Sequence, residues 1–270
     1  MSLKARIAAL GAAALSMTGC DLQTNPLVVS LFGPPTPSLE EAYAGTGSGG
    51  TFDHSALDGL LSRHVHGFTV DYDGIASEQE TLDSYISAVG EAPFDTLDRD
   101  EKLALLINAY NAFTIKLILD HRPIASIKDI AGSDRWDSER WTIAGQSYSL
   151  TSLEHEEIRA KFAEPRIHFA VNCASVGCPP LRVEAYVGER LEEQLADQTR
   201  VMHEDERWVR IEGTTVHLTP LYLWYKSDFE QVAGTSLAFA ARSRPELATG
   251  DWTVQWMDYD WSLNEAVQGE

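Results

Sequence analysis

The stretch EKLALLINAYNAFTIKLILDH, residues 101–121, limits the possible folds more than any other part of the chain. Its apolar side chains run almost all the way round a 3.6-residue period. A helix here has no solvated face and must lie inside a core. Asn108, Asn111 and Thr114 interrupt it at intervals of three and share one stripe. A buried amide without partners costs about 1–3 kcal/mol. The stripe therefore either bonds the backbone of neighbouring loops or lines a site. No uninterrupted apolar run reaches the roughly 18–20 residues of a membrane-spanning helix.

Other segments group around that helix. HSALDGLLSRHV puts Leu57, Leu60, Leu61 and Val65 on one helical face, and TLDSYISAVG predicts a second helix ending at Gly90. IAGQSYSLTSL (143–153) and IEGTTVHLTPL (211–221) share the pattern I-x-G-x-x-x-x-L-T-x-L. Each predicts a strand, a turn at Gly, a returning strand and a helix capped by Thr, with Thr151 and Glu154 at capping-box spacing. The first copy continues EHEEIR and the second YLWYKS, so the shared element does not itself require Glu154 or His155. RIHFAVNC predicts a strand, GERLEEQLADQTRVM a helix, and DWTVQWMDYDW a closing strand. The expected fold is α+β, a helical first half packed on a small antiparallel sheet.

With 44% of its 270 residues hydrophobic, the chain can bury a sizeable core. Its formal charge of −20 argues against nucleic acid as a partner, because phosphates need Lys and Arg. The N-terminus stands apart. MSLKAR is basic, IAALGAAALSMTG is a short apolar stretch, and Cys20 follows. This order predicts a secretory signal over residues 1–19. SMTGC resembles a bacterial lipobox, which implies cleavage before Cys20 and lipidation of its sulfur. Asp21 then resembles the signal that retains lipoproteins at the inner membrane. The expected location is the cell envelope, with the chain anchored by lipid on the periplasmic face of the inner membrane. GPPTPS and GTGSGG make residues 20–50 a flexible tether, leaving 51–270 as one globular domain. Removing Lys4 and Arg6 from the 21 basic residues leaves 19 against 41 acidic, a formal charge of −22. Cys173 and Cys178 would be the cysteines left with a free sulfur, in a compartment where disulfides persist.

The chemistry concentrates in HFAVNCASVGCPPL, residues 168–181. Cys173 has three readings: a nucleophile, half of a disulfide with Cys178, or a packed core thiol. As a nucleophile it needs a base. Strand alternation places His168 on the face opposite Cys173, which leaves His155 as the candidate. Glu154 or one of the helix asparagines, Asn108 or Asn111, would orient the imidazole. Adjacent helical residues point about 100° apart, so a direct Glu154–His155 bond requires a helix start or a distortion. Arg159 faces His155 at i+4. No H-E-x-x-H, paired C-x-x-C or Gly-rich phosphate loop is present, so neither a metal nor a cofactor is expected.

INAYNAFTIKLIL, SLEHEEIR, PRIHFAVNCASVGCPPLR, WYKSDF and YDWSLN, taken together and in this order, resemble the domain-of-unknown-function family 547 over about residues 52–265. The resemblance places Glu154, His155, Arg159, Arg166, His168, Cys173, Ser175 and Cys178 on the family's block. It implies an envelope protein and a Glu-His-Cys arrangement like that of papain-type thiol enzymes. The expected activity is a thiol-dependent hydrolase or acyl transferase. Cys173 would attack an amide or thioester of an unknown small molecule or peptide, His155 would carry the proton, and backbone N–H groups of the ASVG loop would face the oxyanion. The alternatives are a non-catalytic binding module stapled by Cys173–Cys178 and a thiol–disulfide exchange protein.

Overall fold

A computed structural model describes residues 23–266, which form two compact units, each built around its own packed side chains. The larger comprises Pro37–Glu204 with residues 260–266, and the smaller comprises residues 23–36 and 205–259. The architecture is α+β: helices dominate and the strands form three small sheets.

The larger unit contains helices α1 (Ser55–His64), α2 (Tyr72–Ser77), α3 (Gln79–Gly90) and α4 (Arg99–His121), the hairpins β1–β2 (Val65–His66, Thr69–Val70) and β3–β4 (Trp141–Ile143, Gln146–Tyr148), and helix α5 (Leu191–Glu204). As its apolar circumference demands, α4 is the axis of the core, with 16 of its 23 residues buried. By length and composition α4 could cross a membrane, yet 83% of its most apolar window is covered by the rest of the unit. Phe113 of α4 stacks on Trp141 of β3 with ring centroids 4.6 Å apart. Burying an aromatic or aliphatic side chain contributes about 1.5–3 kcal/mol, so α4 supplies much of the unit's hydrophobic stabilisation. Even Lys102 is buried. Its ammonium donates to the Leu97 carbonyl and lies over the rings of Tyr43 and Phe94, at 5.5 and 5.4 Å. The tether expected over residues 20–50 is docked from Glu40 onward, where the Glu40 and Ala42 amides donate to the Ala160 and Lys161 carbonyls at 3.0 and 3.1 Å.

Both repeated segments form hairpins. Ile143 pairs with Gln146 across Ala144 and Gly145, whose φ values of 49° and 77° are those a two-residue primed turn requires. The turn docks on the end of α3, where the Ala144 amide donates to the Val89 carbonyl at 3.1 Å. The expected threonine caps are absent. In the first copy Ser149 caps the helix in a box with Ser152, and the Thr151 hydroxyl donates to Asp137 instead. Ser149 lies two residues closer to the strand, so the helix starts before Thr151 can act as its cap.

In the smaller unit, β5 (Val209–Glu212) and β6 (Thr215–Leu218) pair antiparallel, turning at Gly213, and β7 (Thr253–Trp256) pairs parallel to β6. In the same unit a helix over Lys226–Ala233 brings Phe229 against Tyr222 and Phe239, with ring centroids 4.5 and 4.9 Å apart.

RIHFAVNC does not form a strand. Pro165 opens a 3₁₀ turn over Pro165–Phe169, and Glu164 caps it by accepting from the Arg166 amide. The chain then enters an irregular loop. A short buried apolar run has no period that separates a strand from a helical turn, and here the proline and its cap decide for the turn.

Candidate functional site: a cysteine loop and a π-helical turn

Two groups of the expected residues lie in the larger unit, each tied to one of two consecutive residues of α4. The first is the cysteine loop. Asn111 donates from Nδ2 to the Ala170 carbonyl at 3.0 Å and accepts the Asn172 amide on Oδ1 at 2.8 Å. Both atoms of the Asn111 amide are thus engaged by loop backbone. Asn172 continues the chain of contacts: its Oδ1 accepts the Ala174 amide at 2.8 Å and its Nδ2 donates to the Pro179 carbonyl at 2.7 Å. This Asx turn holds Ala174 at φ 59°, a left-handed conformation that a residue with a Cβ adopts only under constraint. Cys173 and Ser175 flank that point, and Ser175 is bridged antiparallel to Leu263.

Cys173 and Cys178 are joined as a disulfide, their Cα atoms 6.2 Å apart. The two sulfurs have different surroundings. Cys173 is half-buried, whereas Cys178 is only 5% exposed. The Cys173 amide donates to Cys178 Sγ at 2.9 Å, and the buried Ser175 hydroxyl lies 3.2 Å from Cys173 Sγ. Val176, between them at the loop surface, is 45% exposed.

The second group lies in a distorted helix. After Leu150–Ser152 the chain widens into a π-helical turn over Leu153–Ile158, in which the Arg159 amide reaches back five residues to the Glu154 carbonyl. Such turns redirect side chains that a regular helix keeps apart. Here Glu154 Oε1 comes within 3.7 Å of His155 Nδ1, close but beyond hydrogen-bond reach. Glu154 Oε2 accepts from the buried Tyr110 hydroxyl of α4 at 3.1 Å. Arg159, also buried, has Nη1 3.0 Å from His155 Nδ1. A guanidinium can only donate, so Nδ1 is the acceptor and the neutral ring carries its proton on Nε2. A base working through Nε2 needs the opposite tautomer.

The remaining expected residues are engaged elsewhere. Asn108 clasps the Tyr186 backbone, donating to its carbonyl at 2.7 Å and accepting its amide at 2.9 Å, and its Nδ2 also lies 3.1 Å from His54 Nδ1. Arg166 pairs with Glu164 at 2.5 Å and with Glu192 at 2.6 Å, and these carboxylates raise its pKa above the ordinary arginine value. His168 is buried in the 3₁₀ turn, so the alternation that placed it opposite Cys173 does not apply. No group of three or more metal-ligating side chains occurs among the described residues. Cys20 lies outside the described residues.

Sequence reasoning missed Asn172, Tyr110 and Asn264. Asn172 carried the one available signal, an asparagine directly before the cysteine and two residues before the left-handed Ala174, the spacing of an Asx turn. The sequence model of a family described as proteins of unknown function, DUF547, matches residues 94–201. That span holds α4, the π-helical turn and the cysteine loop. No curated protein and no solved structure matches the chain.

Proposed function

We propose, for a chain that belongs to the DUF547 family through residues 94–201, that Cys173 and Cys178 are a thiol–disulfide exchange pair acting on a dithiol substrate. One observation carries this reading: the unlike surroundings of the two sulfurs. Exchange needs an accessible sulfur to attack and a stabilised thiolate to leave. Cys173 is the more exposed of the two, and Cys178 Sγ already accepts an amide hydrogen bond that favours its thiolate. A substrate thiolate attacks Cys173 Sγ, the intramolecular S–S bond breaks, and Cys178 leaves as the thiolate. The substrate's second thiol, deprotonated, then attacks the substrate sulfur of the mixed disulfide and releases Cys173. Two electrons and two protons pass from the substrate dithiol to the pair. In the reverse direction the Ser175 hydroxyl is placed to donate to the Cys173 thiolate.

A second reading keeps the opened Cys173 as a nucleophile toward an amide or thioester. It is supported by the π-helical turn, which gathers Glu154, His155 and Arg159. Both readings suit a chain anchored by lipid at Cys20 on the periplasmic face of the inner membrane, and Cys20→Ala should then move the protein from the membrane to the soluble fraction.

Incubating the folded protein in glutathione redox buffers and trapping with an alkylating reagent tests the main reading. Reversible interconversion is expected, and Cys178→Ser should trap glutathione on Cys173 while Cys173→Ser traps little. A pair that opens only when the protein is unfolded makes the disulfide a structural staple and ends the proposal. Labelling of reduced Cys173 by a carbonyl-type thiol probe, slowed by His155→Ala, would favour the second reading.

A further inference from the structure

The loop that carries the sulfurs is also the binding edge for a C-terminal strap, residues 260–266. The Val176 amide donates to the Ser262 carbonyl at 2.9 Å and the Gly177 amide to the Asp260 carbonyl at 2.8 Å. In return the Asn264 amide donates to the Ala174 carbonyl at 3.2 Å. All three loop residues lie inside the ring that the Cys173–Cys178 bond closes. The buried Asn264 side chain adds a bridge, accepting from the Tyr72 hydroxyl at 2.7 Å and donating to Asn172 Oδ1 at 3.4 Å. The strap has a second set of anchors independent of the sulfurs. The Leu263 amide donates to the Ala125 carbonyl at 2.8 Å, the Val70 amide to the Asn264 carbonyl at 2.8 Å, and the Ala266 amide to the Val70 carbonyl at 2.9 Å.

We infer that the strap reports and regulates the redox state of the pair: closing the disulfide presents the Ala174–Gly177 edge to the strap, and the strap in turn favours the closed disulfide. This rests on the exchange reading above. The physical link is conformational entropy. The covalent ring acts with the Asn172 Asx turn to hold Ala174, Val176 and Gly177 in the arrangement that meets three strap groups, and opening the bond enlarges the set of loop conformations. Binding linkage makes the effect reciprocal, so weakening the strap makes the pair easier to reduce. The second set of anchors keeps the strap attached throughout, so the change is a local loosening of one edge.

Amide hydrogen exchange on the full chain, oxidised and reduced, tests this. Reduction should speed exchange at Val176, Gly177 and Asn264 by about tenfold or more, and leave Val70, Leu263 and Ala266 within a factor of two or so of their oxidised rates. Asn264→Ala should shift the pair's glutathione equilibrium toward the dithiol by about fivefold or more. Cys178→Ser, which lacks the bond in any buffer, should show the reduced exchange pattern. This arm reads the strap even if the wild-type pair resists reduction, so failure of the exchange reading and failure of the strap are told apart. Equal exchange in Cys178→Ser and oxidised wild type, or an unshifted equilibrium in Asn264→Ala, overturns the inference.

Discussion

Replacing Asn111 by alanine should expose how the cysteine loop is held. The Asn111 amide satisfies one backbone carbonyl, at Ala170, and one backbone amide, at Asn172, with distances of 3.0 and 2.8 Å. All three residues are buried. Alanine removes both partners at once and leaves two backbone groups orphaned where water has poor access. Each orphan costs about 1–3 kcal/mol, so Asn111→Ala should destabilise the larger unit by about 2–6 kcal/mol. Thr114, one turn further along the same stripe, is the control. Its buried hydroxyl has no hydrogen-bond partner among the described residues. Thr114→Val keeps the shape and deletes the unsatisfied group, so it should be neutral or stabilise by up to about 1 kcal/mol. Urea denaturation of the three proteins gives both numbers, provided that the m-value is unchanged. Exchange at the Asn172 amide, accelerated in Asn111→Ala alone, locates the damage. The reasoning is refuted if Asn111→Ala costs less than about 1 kcal/mol, or if Thr114→Val proves as harmful.

Two further outcomes rest on other positions of the larger unit. Burial pushes the His54 pKa down to about 4, partly offset by Asp53 and Asp58, while the unfolded chain titrates near 6.5. Between those values the unfolded state binds a proton that the native state refuses. Stability should be complete above about pH 6.5 and fall toward pH 4, with about 3 kcal/mol lost in all. His54→Gln should flatten that part of the stability profile relative to wild type, and an unchanged slope between pH 7.5 and 4.5 would assign the loss to other groups. At Gly188 an added Cβ would lie 2.6 Å from Glu101 Cγ and 2.8 Å from the Glu101 backbone nitrogen. Gly188→Ala should lower stability by about 1–3 kcal/mol. Adding Glu101→Ala should not restore it, because the backbone contact remains, and full rescue in the double variant would show that the side chain alone was in the way.

The sequence carried the fold further than it carried the site, for physical reasons that particular residues show. Apolar period alone placed α4, because a cylinder without a polar face admits one environment. The asparagine stripe within it announced buried amides in need of partners, and for Asn108 and Asn111 the partners are loop backbone. Hairpins were readable from their turn glycines. The site depends instead on features with no local period. A π-helical turn adds one residue to a helix without changing its composition, so nothing in EHEEIR shows that Glu154 and His155 approach each other. The irregular path through Cys173 is fixed by Asn172, whose own partners lie 61 residues back at Asn111 and 92 residues on at Asn264. The same dependence bears on chemistry. Arg159, read from i+4 spacing as a charge beside His155, is a hydrogen-bond donor to Nδ1 and so selects the tautomer. For His155 to act as a base toward an opened Cys173, that bond must break or the ring must turn. The exchange proposed for the two sulfurs asks neither of the imidazole, so that proposal requires the smaller rearrangement of the two.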